Sequence, residues 1–188
     1  MGIMRYTIQN RQSKRKQDMK HAILIGNLCT LFAMGFNAFS STRKTPKGVL
    51  MIQNVSQAIY GFSAIALGGY SAVVQNVVSI FRNTAAILNV NSKLLEWLFV
   101  ILGVTLGIAF NNLGWVGMLP VIANLQYTLA IFHFKDDERK LKLFFLFNSF
   151  AFILFNFAIQ NYVGAAADTF VAITTITMLV KSRPKNEE

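Results

Sequence analysis

Amides, hydroxyls and two isolated charges make up the chemistry that this chain carries inside its apolar stretches. Asn27, Asn54, Gln57, Gln75, Asn76, Asn124 and Asn148 stand within long apolar runs, as does Tyr127. Arg82 and Asp168 are the ionisable residues nearest the middle of such runs. Groups of this kind exchange hydrogen bonds with a desolvated polar solute, or with one another, without committing a nucleophile. Catalytic patterns are missing from the sequence. It contains no HExxH, CxxC, P-loop or GxGxxG, and His21 and His133 stand alone at the ends of apolar runs. The single cysteine, Cys29, excludes an intrachain disulfide and reads as a small packing residue. No metal, no cofactor and no enzyme activity is expected.

The polar residues recur at helical spacing. Asn27, Thr30, Met34 and Asn37 form one stripe; Gln53, Gln57, Tyr60 and Ala64 form a second, with Asn54 beside it. Gln75, Ser79 and Arg82 follow, flanked by Asn76 and Asn83. Later come Pro120, Asn124 and Tyr127, then Asn148 and Asn156, then Asp168 and Thr175. A helix facing lipid alone needs no such stripe. The bland explanation is interhelical glue, at roughly 0.6 kcal/mol per bond. Six stripes in one small protein favour a polar path through the bundle. Arg82 lies twelve residues beyond Tyr70 and has the reach to snorkel to the far interface. Asp168 is the one candidate for a deep, proton-carrying carboxylate, although it stands only four residues past Gly164.

These stripes need elements to hold them, and composition says which. Of 188 residues 54% are hydrophobic and only 14% charged, too few charges to clothe a soluble globule, which usually carries about 25%. Nearly all the charges are also segregated into Arg5–Lys20, Arg43–Lys47, Lys135–Lys142 and Lys181–Glu188. Between them lie apolar runs long enough for bilayer-crossing helices, which need roughly 20 residues each. The expected spans are His21–Ser40, Val49–Leu67, Ser71–Val90, Leu94–Phe110, Trp115–Phe132, Leu143–Ile159 and Ala165–Val180. Basic loops and glycine-containing turns separate them, and Trp115 is placed as an interfacial anchor. A soluble enzyme, a secreted disulfide scaffold and a disordered basic protein are all excluded. The net charge of +10 fits loops beside an anionic leaflet, so no nucleic-acid partner is expected.

The first three spans and the last three share an order of connections: a charged loop, then a turn containing glycine and tyrosine. A shift of 94 positions aligns Leu31 with Leu125, Asn54 with Asn148 and Ala72 with Ala166, among others. The lone fourth span gives both triplets the same orientation, a parallel repeat. At this register Asn54 pairs with Asn148, and Gln75 nearly pairs with Asp168, as the expected rungs of a path. An outside N-terminus puts eleven Lys and Arg residues of the loops and C-terminus on the cytoplasmic side, against six in the N-terminal tail. The count favours N-out, C-in.

The stretch Gln57–Asn83, QAIYGFSAIALGGYSAVVQNVVSIFRN, resembles the central part of the YgjV-type bacterial inner-membrane proteins. Leu119–Lys181, with its charged loop and Asn-Tyr-Val-Gly turn, resembles the same family. The resemblance implies a multi-pass protein of the bacterial inner membrane and brings no substrate. The layout is also similar to SWEET-type sugar carriers and PnuC-type vitamin transporters, without their Pro-Gln pairs. The expected fold is all-α: a basic polar tail (1–20), a first triple-helix bundle (21–90), a linker helix (91–114), a second triple-helix bundle (115–180) and a charged tail (181–188). The expected function is a facilitator or secondary carrier for a small polar, largely uncharged solute. The alternative is a non-transporting partner or assembly protein whose stripes only pack helices. The partners expected are the lipid bilayer and that solute, with homo-oligomerisation left open.

Overall fold

A computed structural model describes residues 2–40, 46–88, 90, 92–134 and 137–181. Most of the basic loop Ser41–Gly48, Lys135 and Asp136 of the second charged loop, and residues 182–188 of the charged tail lie outside the described residues. The described residues form seven helices and no strand: α1 (Gly2–Ser40), α2 (Pro46–Ala66), α3 (Tyr70–Ile87), α4 (Lys93–Ala109), α5 (Trp115–His133), α6 (Glu138–Ala158) and α7 (Tyr162–Lys181). The protein is all-α, as its composition requires. One boundary differs. Residues 2–20 do not stand apart as a tail but form the first half of α1, with every residue from Arg11 to Lys20 exposed. No proline interrupts this stretch and no glycine follows Gly2 until Gly26, while its Arg, Lys and Gln are good helix formers.

By length and hydropathy two helices qualify as membrane spans, Arg11–Asn37 and Tyr162–Val180, and Lys142–Ala158 is a shorter apolar helix. The polar face of α3, with Gln75, Asn76, Ser79, Arg82 and Asn83, lowers its mean hydropathy. Packing is inverted relative to a soluble globule. Most buried positions are small or polar, Ala33, Ala64, Ala72, Ala123, Thr30, Ser56 and Ser63 among them, with Phe155 and Ile159 as large apolar side chains in the core. Large apolar side chains point outward, including Phe32, Phe62, Leu94, Trp97 and Phe170, with Trp115 at 89% exposure. Small residues let helix backbones approach closely where there is no water to drive them together.

Six helices close a ring. Contacts run from α1 to α2, α2 to α3, α3 to α5, α5 to α6, α6 to α7 and back from α7 to α1. The remaining helix, α4, lies outside the ring against α3 and α5. Gly103 and Gly107 carry that packing. A Cβ on Gly107 would stand 2.6 Å from the Gln75 amide and 2.7 Å from Val121.

Exchanging α1, α2 and α3 for α5, α6 and α7 maps every contact of the ring onto another. The offset is 92 rather than the expected 94. Helices α2 and α6 both begin and end 92 residues apart, and α3 and α7 start at Tyr70 and Tyr162. The intervening turns agree bond for bond. Leu67, Gly68 and Gly69 donate to the carbonyls of Ser63, Ile65 and Ala64; Ile159, Gln160 and Asn161 donate to those of Phe155, Phe157 and Asn156. Each turn places its middle residue in the left-handed region, Gly68 at φ 73° and Gln160 at φ 60°. Identities misplace the register because in this apolar stretch they accumulate by chance. At the true offset only Ala66/Ala158 and Tyr70/Tyr162 match across Pro46–Ile87.

The two turns, together with the α4–α5 turn, meet at one end of the ring and seal it. Asn112 donates to the Gly68 carbonyl at 2.8 Å. A Cβ on Gly69 would stand 2.8 Å from the Phe155 ring, so glycine is needed for this close approach. Asn27 donates to the Gln160 carbonyl at 2.9 Å and accepts the Val163 N–H at 2.9 Å. Ser63 donates to the Gly26 carbonyl at 2.7 Å. The described ends of the helices that lead into the charged segments, Ser40 and Pro46, His133 and Glu138, are at the other end.

Candidate functional site

The ring encloses a cavity of about 310 Å3 to which all six of its helices contribute. From α1 comes Asn37; from α2, Gln57, Tyr60 and Ser63; from α3, Asn76, Ser79 and Arg82. Asn124 and Tyr127 of α5, Asn148, Ser149 and Asn156 of α6, and Asp168 of α7 complete the polar lining. Helical periodicity explains the convergence. Residues three, four and seven apart share a face, so one stripe per helix turns inward when the large apolar side chains turn outward.

Seven of the ten expected site residues reach this cavity: Gln57, Asn76, Arg82, Asn124, Tyr127, Asn148 and Asp168. Asn27, Asn54 and Gln75 do not. Asn27 is consumed by the clasp to Gln160 and Val163 and by its own Ile23 carbonyl. Asn54 donates to Thr84 Oγ1 at 3.1 Å and binds α2 to α3. Gln75 donates to the Gly103 carbonyl at 2.8 Å and accepts from Asn124 at 3.2 Å, tying α3 to α4 and α5. The expected rungs Asn54/Asn148 and Gln75/Asp168 are therefore not equivalent. At the offset of 92, Asp168 corresponds to Asn76, and both line the cavity. So do Gln57 and Ser149, and Tyr60 and Phe152.

The structure adds Asn37, Tyr60, Asn156, Ser149 and Asn161 to the lining. The first three were already members of inward stripes. Ser149 sits one residue past Asn148, and Asn161 belongs to the turn, where its amide donates to Asn156 at 3.0 Å. The GVTLG spacing at Gly103 and Gly107 was a readable sign of close helix packing.

Arg82 does not run out to the interface. Its stem turns inward and its guanidinium donates to Thr128 Oγ1, at a long 3.4 Å. Asp168 accepts from Asn156 at 2.8 Å. Neither charge has an ionic partner: Lys140–Asp137 is the only salt bridge among the described residues. Beyond Arg82 the space widens into a vestibule of about 640 Å3, where Asn37, Gln57, Arg82, Tyr127 and Phe145 are shared with the cavity and Ser92 and Glu96 stand at the mouth. This is the end at which α3 leads into α4. A second opening runs sideways between α1 and α7, past Met34, Tyr162 and Phe170 to Tyr60 and Asp168. Among the described residues no group of His, Cys, Asp and Glu could hold a metal ion.

A ring of outward apolar helices around a polar centre is what a lipid-embedded protein presents, and a family comparison agrees. The family model for Imp-YgjV, described as a bacterial inner membrane protein, matches residues 24–185. The chain belongs to this family. No curated protein and no solved structure matches it. In this Imp-YgjV protein the matched region takes in α2 to α7 and the part of α1 from residue 24 onward, and leaves out the basic, exposed segment 11–20.

Proposed function

We propose that this protein is a multi-pass facilitator or secondary carrier for a small polar, net-neutral solute. In this reading the ring is two parallel triple-helix bundles, 21–90 and 115–180, with α4 as the linker that gives them the same orientation. The observation that carries the proposal is the cavity itself. Polar side chains from all six ring helices meet in a space closed by hydrogen-bonded turns at one end and continuous with a vestibule at the other. Such a space offers a solute replacements for its water, and access from one side at a time is what a carrier requires. The charged end faces the cytoplasm by the positive-inside rule, which makes this the inward-open arrangement with the N-terminus outside. Reporter fusions at Lys16 and Lys185 should fall on opposite sides; the same side for both would end the seven-span topology.

A specific observation favours the second reading, a membrane partner whose amides only pack helices. Asn27, Asn54 and Gln75 are spent on interhelical bonds. Water access separates the two. In a Cys29→Ser background, cysteines at Gln57 and Asn148 should react with a hydrophilic thiol reagent, while cysteines at Asn54 and Gln75 should stay protected. Protection at all four positions would remove the carrier proposal.

A further inference from the structure

An arginine and an aspartate face one cavity, and neither has an ion-pair partner among the described residues. Among the described residues Arg82 hydrogen-bonds only the Thr128 hydroxyl and Asp168 only the Asn156 amide, with the Tyr127 and Tyr60 phenols as their electrostatic neighbours. A charge held among membrane helices without a partner is costly, and such residues ordinarily pair with one another. Here they are kept apart by position. Asp168 occupies the level of Asn76 at the 92-residue offset, and Arg82 stands six residues further along α3. That is a depth difference of about 9 Å at 1.5 Å per residue. The side chain of Arg82 slopes back towards the start of its helix, which narrows the gap without closing it. The other polar residues of the cavity lining, Asn76, Ser79, Asn124 and Tyr127 among them, are uncharged. Glu96, the other carboxylate near Arg82, stands at the vestibule mouth and makes no salt bridge with it.

We infer that the cavity recognises a zwitterion whose anionic and cationic groups are several bonds apart, the anion on Arg82 and the cation on Asp168. This rests on the carrier reading for why the site exists, but it makes a separate claim about binding. A carboxylate beside the guanidinium gains charge-assisted hydrogen bonds, and an ammonium beside Asp168 does the same. The solute's net charge is zero, so it leaves the cavity as neutral overall as it found it. An α-amino acid, with its charges on neighbouring atoms, cannot reach both levels. A neutral polyol would leave both charges unpaired.

The test uses the purified full-length protein in detergent and compounds built on one four-carbon chain. Thermal-shift titrations compare gamma-aminobutyrate with butyrate, butylammonium and butanediol, and with glycine for charge spacing. Gamma-aminobutyrate should bind at least about ten-fold more tightly than any of the others. Arg82→Gln should reduce its affinity to that of butylammonium, and Asp168→Asn to that of butyrate. Arg82→Lys, which keeps the charge, should retain most of the binding even if Arg82→Gln folds poorly. Equal binding of butanediol, uniform loss for every compound, or no binding of gamma-aminobutyrate overturns the inference. Uptake into vesicles separates this from the function proposed above. Binding without uptake removes the carrier and leaves the site, whereas uptake of butanediol without zwitterion binding does the reverse.

Discussion

At the turn between α2 and α3 the left-handed residue is Gly68; at the matching turn between α6 and α7 it is Gln160. One step on, Gly69 is matched by Asn161, and three further on Ala72 is matched by Gly164. The backbones repeat, and so do their hydrogen bonds. The side chains have been redistributed. In the first triplet the turn is made of glycine and the helix behind it carries a Cβ. In the second the turn carries amides, and the glycine sits in the helix to receive them: Asn161 donates to Asn156 at 3.0 Å, and a Cβ on Gly164 would collide with both. Deeper in the cavity Tyr60 faces Phe152 across the repeat, and Asn76 faces Asp168. A repeat of this kind preserves shape at each level while letting chemistry diverge, which is how one cavity acquires two different walls.

The sharpest way to break the comparison is Gly164→Ala. The new methyl would stand 2.6 Å from Asn161 Nδ2 and 2.9 Å from Asn156 Cγ. We expect a loss of about 2–3 kcal/mol in stability, typical of overpacking, read by thermal unfolding in detergent. Its counterpart Ala72→Gly should cost only about 1 kcal/mol, through backbone entropy. Equal effects would mean that the two turns are packed alike.

Gln160→Gly runs in the opposite direction. It relieves a side chain held at φ 60° and should stabilise the protein by about 1 kcal/mol, while Gly68→Ala should destabilise it by a similar amount. A neutral Gln160→Gly would show that the clasp from Asn27 already compensates the strain.

Asn148→Leu and Asn54→Leu sharpen the difference between lining and glue. Each removes one interhelical bond, Asn148 to the Ala123 carbonyl at 3.0 Å and Asn54 to Thr84, worth about 0.6 kcal/mol. Only Asn148→Leu should lower solute uptake per folded molecule. If both lower it equally, the cavity is not the path.

The smallest effect lies at the start of α6. The Asp137 carboxylate accepts the backbone N–H of Lys140 at 3.0 Å, and the Lys140 ammonium lies 3.0 Å from its other oxygen. The backbone hydrogen bond first, and the Lys140 side chain second, hold this carboxyl below its ordinary value of 3.8. A depressed carboxyl contributes stability above its unfolded value and loses it as pH falls through the folded one. The capping contribution should therefore be intact at neutral pH and disappear only below about pH 4. An NMR titration of Asp137 with a midpoint at or above the ordinary value would count against it.

How much of this was readable beforehand differs between fold and site. Seven helices and, apart from the start of α1, their approximate ends followed from apolar runs and breaks, because a missing charge or an added glycine acts locally. The inward stripes likewise named most of the cavity. The register of the repeat was hidden, since Asn54 and Asn148 look alike and yet occupy different faces at the true offset. The roles of Asn27 and Gln75 were hidden for a different reason. An amide on an inward-leaning face bonds a backbone carbonyl or lines a space depending on which helix comes closest. For Gln75 that was decided by Gly103 and Gly107 on α4, a distant stretch of chain. Arg82 has the reach to snorkel, and depth alone cannot tell which way its stem bends.

The clasp of Asn27 bears on the order in which the protein can be built. Its side chain accepts the Val163 N–H, one of the amide groups that α7 cannot satisfy within itself, and these partners are 136 positions apart. The first helix thus supplies the cap for the last. During synthesis Asn27 emerges early and has no such partner until nearly the whole chain has followed. The ring cannot latch until α7 arrives, since among the described residues α7 alone joins α6 to α1. Completion of the protein is in this sense registered at its beginning, by a single amide that waits for its last neighbour.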